Sequence, residues 1–238
     1  MNSNIVFSLS SLTYRVIKLN FRIVFANKFV WFLVASIGFY LLLSAIYIFN
    51  EDQMRMQDMY GILLFSGILI VFYPSVFGIQ NDQDARTIEI LFGIPNYRYK
   101  VWLVRILMIY LLAFITVGVF STISSTLIVR FRVIDMTAQV MVPVLLLGTM
   151  AFMASTLIRN GNGTAVVMII FGLLFMILSD PLEQSRWNVF LNPFEAPSGV
   201  SDVAWKSITT DNRIIQAVAT ILFLLAALFN LQKREKFM

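Results

Sequence analysis

The sequence predicts an all-α membrane protein. It should hold six transmembrane helices, an amphipathic N-terminal interfacial helix, a cytoplasmic helix between helices 2 and 3, and a re-entrant outer segment between helices 5 and 6. Of the 238 residues, 59% are hydrophobic and 13% charged, with 22 Phe, whereas a soluble domain carries about 25% charged residues. Mean hydropathy is +0.81. Six windows lack Asp, Glu, Lys and Arg altogether: 29–50, 59–81, 106–129, 136–158, 160–179 and 214–232. Each is close to or above the ~20 residues that a spanning helix requires.

These windows place spans over about 29–50, 59–81, 102–129, 136–158, 160–180 and 213–232 of a single transmembrane domain, 1–238. Ahead of them, over about 8–28, Leu12, Val16, Leu19 and Ile23 recur at helical spacing beside a basic stripe of Arg15, Lys18 and Arg22. That pattern suits a helix lying in the headgroup layer. The basic residues follow the short apolar patch instead of preceding it, so a cleaved signal peptide is not expected. Pro74 and Pro143 fall inside the second and fourth windows, where bilayer helices tolerate them if neighbours satisfy the freed carbonyls. The hydroxyl run Ser121, Thr122, Ser124, Ser125 and Thr126 reads as close-packing glue between helices, with a polar path as the other reading. Met136, Met141, Met150 and Met153 read as core packing. Gly161 and Gly163 read as the turn between spans four and five, which sets aside the formal glycosylation match at Asn162.

Of the 18 Lys and Arg, twelve flank the side shared by both termini, the 82–105 loop and Arg159, and six flank the other. Positive charge concentrates on the cytoplasmic side, so both termini are expected inside a cell (inner) membrane. Residues 180–212 then lie outside. Their apolar pieces, with Trp187, Phe190, Asn192, Pro193, Phe194 and Trp205, are too short to span and too aromatic for a free loop. Short helices dipping into the outer leaflet, and an outer gate or re-entrant role, are expected there.

The loop between spans two and three, "NDQDARTIEILFGIPNYRYK", is the one long polar interruption on the inner side. Ile88, Leu91 and Phe92 give a short helix an apolar face. Asp82 and Asp84 are expected at its start, where carboxylates favour the helix dipole. Gly93 and Pro95 end it, and Arg98, Lys100 and Arg105 are expected to anchor the next span at the headgroups. Asp82, Asp84 and Glu89 against a lone Arg86 give it an acidic polar face. That favours a protein partner over an anionic lipid surface.

With these residues the loop resembles the cytoplasmic loop of ABC-2 type transporter permeases. There an acidic segment precedes Gly-Thr-x-Glu, an apolar helix, Pro and a basic residue. Asp84, Thr87, Glu89, Leu91, Pro95 and Arg98 occupy those positions, while Arg86 replaces the Gly. "LNPF", Leu191 to Phe194, is similar to a run in the outer segment of that family. The resemblance implies two permease copies, alike or related, working with separate ABC ATPase subunits that carry ATP and Mg. Motor docking would fall to Asp84, Arg86, Thr87, Ile88, Glu89, Leu91, Phe92, Pro95 and Arg98, with export driven by alternating opening of the dimer interface.

The chain has no Cys and no His, which removes thiol nucleophiles and imidazole bases or ligands. It has no G-x-x-x-x-G-K-[ST] loop, so no cofactor is expected on this chain. No catalytic or metal-binding residue is expected either, and no nucleic-acid partner. The charge-free spans count against a secondary carrier. A motor-free membrane scaffold or an immunity protein stays open as the alternative.

Overall fold

The computed structural model describes residues 29–49, 54–84 and 98–232, with only the backbone at 98–100. The expected interfacial helix at 8–28 and residues 85–97 of the charged loop lie outside the described residues. What is described is helical with irregular connections: α1 (Phe29–Phe49), α2 (Met56–Asp84), a π-helical turn (Arg98–Leu103), α3 (Val104–Leu127), α4 (Val133–Ile158), α5 (Gly161–Ile177) and α6 (Asp202–Asn230).

Five of these helices, all but α5, are long and apolar enough to cross a membrane, so the chain is a multi-pass membrane protein. The sixth apolar helix, α5, has 17 residues and extends about 26 Å, just short of the ~30 Å hydrocarbon layer. Pro74 and Pro143 sit inside α2 and α4 without ending either helix.

The bundle is organised around α2 and α4. Their most apolar windows are 61% and 72% buried, against 22% for α1 and α6. They pack on each other; α1, α3 and α5 pack on α2, and α3, α5 and α6 on α4. The peripheral helices turn Val34, Leu41, Leu111, Ile115, Ile170 and Leu222 outward, as a surface bathed in lipid permits. Between helices the apolar contacts are fastened by hydroxyls. Ser36 Oγ donates to the Ser66 carbonyl at 2.8 Å. The Tyr40 hydroxyl meets Ser124 Oγ at 2.9 Å, with its ring stacked on Phe120 at 4.3 Å. Met136, Met141 and Met150 are buried in the apolar clusters.

The largest departures from the sequence expectation have physical reasons. The expected spans stop at charged residues, but α2 continues to Asp84 and α6 begins at Asp202, eleven residues before the expected 213. Lys206 is exposed on α6, and Arg213 is hydrogen-bonded inside the fold. Charged residues so placed extend a helix without harm. The short helices expected over 180–212 are instead a run of turns to Gly199 followed by the first turns of α6.

The α4–α5 reversal is made by Arg159, in the left-handed region at φ 60°, and by Asn160. Asn160 caps α5 by accepting from Gly163 N at 2.9 Å. The glycines expected to form the turn lie in the first turn of α5. Gly161 is needed there because a Cβ would overlap the Phe77 ring and crowd Gln80 Oε1 of α2, which accepts from its N–H. Gly161→Ala should therefore destabilise the protein by about 1–3 kcal/mol through overpacking. Gly172→Ala, where a Cβ meets nothing within 4 Å, should be neutral or stabilising; paired thermal melts in detergent measure the difference.

Candidate functional site

Two polar clusters lie at opposite ends of the bundle. The first begins where α2 runs out. Asp82 Oδ2 accepts from Arg105 Nη1 at 2.8 Å, and the two side chains are only 8% and 7% exposed. The Arg105 guanidinium lies 4.7 Å from the centre of the Trp102 ring, and Trp102 packs against Phe152 of α4. The π-helical turn runs directly into α3, so the ion pair joins the two helices from which the charged loop departs. Nearby, Ser155 Oγ donates to the Val76 carbonyl at 3.0 Å, and Asn230 Nδ2 to the Thr156 carbonyl at 2.7 Å.

Of the expected docking residues, Asp84 is exposed at the last residue of α2, and Arg98 opens the π-helical turn with its side chain outside the description. Arg86, Thr87, Ile88, Glu89, Leu91, Phe92 and Pro95 lie outside the described residues. Two expectations are corrected. Asp82 and Asp84 end α2 instead of starting a loop helix, and Asp82 is held by an internal ion pair. Arg105 is buried in that pair rather than anchored among headgroups. Only Asp84 and Glu89 remain of the acidic face attributed to the loop.

The second cluster is built from residues 178–201, whose sequence contains a short local repeat, "NVFLNPF". Asn188 Oδ1 accepts from Phe190 N at 3.0 Å, and Asn192 Oδ1 from Phe194 N at 3.1 Å. Each is the Asn-initiated turn that a short polar side chain makes with the backbone two residues on. Both turns send a Phe onto α2: Phe190 lies 6.2 Å from Phe65, and Phe194 packs edge-on to Tyr60 at 5.9 Å.

Backbone turned this way leaves carbonyls without ladder partners, and side chains of the helices supply them. Asn212 Nδ2 donates to the carbonyls of Arg186 and Asn188 at 2.9 and 2.8 Å. Gln216 Nε2 donates to that of Val189 at 3.0 Å. Trp205 Nε1 reaches the Pro193 carbonyl at 3.3 Å, and Asn192 Nδ2 in turn donates to the Gln57 carbonyl at 3.0 Å. Trp205 and Gln216 are eleven residues apart, about 16 Å along α6. The segment between Val189 and Pro193 therefore lies beside α6 over that length.

Arg213 sits at the centre. Nε donates to Gln139 Oε1 of α4 at 2.7 Å and Nη1 to Asn212 Oδ1 at 2.9 Å. Nη2 donates both to the Tyr60 hydroxyl of α2 at 3.0 Å and to the Leu191 carbonyl at 3.1 Å. One side chain thus ties three helices to the segment.

Phe190, Asn192, Pro193, Phe194 and Trp205, expected in the outer segment, are brought together here. Trp187 is not: it is 62% exposed beside Arg186. Sequence reading missed Tyr60, Gln139, Asn212, Arg213 and Gln216. The signal was available in the paired Asn-x-Phe steps and in the amides one helical turn apart at Asn212 and Gln216. Comparison with known protein families, with curated proteins and with solved structures finds no match.

Asn212→Leu should leave the Arg186 carbonyl without its side-chain donor at about 1–3 kcal/mol, while the Asn188 carbonyl keeps Leu191 N and Gln216 Nε2; the loss is seen as a lower melting temperature and faster proteolysis within 186–194. Asp82→Asn strands a buried guanidinium and should cost about 3–5 kcal/mol. The exchange Asp82→Arg with Arg105→Asp should recover part of the lost melting temperature, whereas two unrelated losses would add.

Proposed function

We propose that this chain is the transmembrane permease subunit of an ATP-driven exporter of the ABC-2 type. Two copies, or this chain and a related permease, form the membrane core, and a separate ATPase binds ATP and Mg. Substrate moves as the interface between permeases opens alternately to the two sides. The Asp82–Arg105 end faces the cytoplasm with both termini, and the 178–201 segment re-enters the outer leaflet as a gate.

The observation that carries the reading is the loop between α2 and α3. Its residues Asp84, Thr87, Glu89, Leu91, Pro95 and Arg98 resemble the motor-docking pattern. Its two roots are joined by a buried ion pair, so a push on the loop is delivered to both helices at once. A charged pair placed in an otherwise apolar bundle stabilises little in net terms but fixes geometry, which suits a point where force enters. Catalysis belongs to the partner, since a phosphate-cradling loop is missing from this sequence.

Purification of the tagged chain from its native membranes in mild detergent should recover a near-stoichiometric P-loop ATPase. Glu89→Lys should abolish that association while the chain still inserts. A chain that elutes alone in several gentle detergents would instead mark a motor-free scaffold.

A further inference from the structure

The two arginines inside the bundle are held in opposite ways. Arg105 faces a carboxylate, whereas every acceptor of Arg213 is neutral: an amide from Gln139, an amide from Asn212, a phenol and a backbone carbonyl. Among the described residues no carboxylate forms an ion pair with it. Breaking a buried ion pair strands two charges. Leaving neutral acceptors strands only the guanidinium, which can take other acceptors instead. Arg213 is half-buried while Asn212 and Gln216 on either side are buried, so it can be reached by water or by a ligand's polar group.

We propose that Arg213 is a releasable latch for residues 186–194. When the guanidinium lets go of the Leu191 carbonyl and the Tyr60 hydroxyl, that carbonyl keeps only the neutral bond from the Tyr60 hydroxyl at 3.2 Å, weaker than the charge-assisted one, and Phe194 leaves Tyr60 when that bond gives way. Movement of the segment uncovers a polar mouth between α2, α4 and α6, lined by Tyr60, Gln139, Asn212 and Gln216. Gln216 Oε1 is buried there without a hydrogen-bond partner, an unmet acceptor that the opened mouth would satisfy. The inference rests on the gate role given to this segment under the exporter reading, but its test needs no motor.

The chain has no cysteine, so a single Val189→Cys reports the half-buried segment directly. Its reaction with a membrane-impermeant maleimide is followed in sealed vesicles, with Ser207→Cys, exposed on α6, as the reference. Arg213→Gln should speed labelling of Cys at 189 about tenfold or more, the factor that loss of one charge-assisted bond gives an opening equilibrium. Arg213→Lys should fall between, because an ammonium cannot span all four acceptors. Where Arg213→Gln fails to insert, Gln139→Leu, which removes one acceptor and keeps the charge, should raise the rate in the same direction. Labelling that stays unchanged in every inserted variant, while Ser207→Cys reacts normally, overturns the latch and leaves the exporter reading standing. Loss of ATPase association leaves the labelling prediction untouched.

Discussion

The 178–201 end of the bundle depends on one requirement: a backbone without regular structure, lying along apolar helices, must find partners for its carbonyls within the protein. Here they are found in side chains, and those side chains come almost entirely from one stretch of α6. Trp205, Asn212, Arg213 and Gln216 serve the carbonyls of Arg186, Asn188, Val189, Leu191 and Pro193. This explains why α6 carries amides and a guanidinium along an otherwise lipid-facing helix. It also explains why α6 starts twelve residues earlier than its charge-free window: the polar residues that seemed to end the span are the ones that receive the segment.

The opposite end solves a different problem. Where α2 and α3 leave the bundle, Asp82 and Arg105 are both buried, so each needs the other, and Trp102 covers the guanidinium face. The two ends therefore differ in what holds them: opposite charges at one, a cation among neutral acceptors at the other. The first arrangement resists change because separation exposes two bare charges. The second tolerates exchange, since one acceptor can replace another with little electrostatic loss.

Much of this architecture was legible beforehand. Composition and charge-free windows located all six apolar helices to within a few residues at most ends, because hydrophobic length is the dominant constraint on a chain in lipid. The boundaries failed where charge was treated as incompatible with a buried helix: Asp82 is ion-paired and Arg213 is hydrogen-bonded inside the fold, and both depend on residues far apart in sequence. Asp82 and Arg105 are 23 positions apart and Tyr60 and Arg213 are 153 apart, beyond the reach of any periodicity. The aromatic content of 187–205 pointed to the right segment but to the wrong local structure. Aromatics there suggested helices, whereas each Phe is delivered by an Asn turn.

Among the described residues, α2 is the helix whose side chains meet both arginines held inside the bundle. Tyr60 meets Arg213 near its start and Asp82 meets Arg105 near its finish, 22 residues or about 33 Å apart. Between them it is gripped on several sides, by α1, α3, α4 and α5. Enclosed in this way, α2 is a packed path from Asp82 to Tyr60, interrupted midway by the backbone hydrogen bond that Pro74 cannot make. In the proposed exporter this makes α2 the link between motor and gate. On that reading the charged pair at Asp82 keeps hold through the stroke, and the neutral contacts of Tyr60 give way.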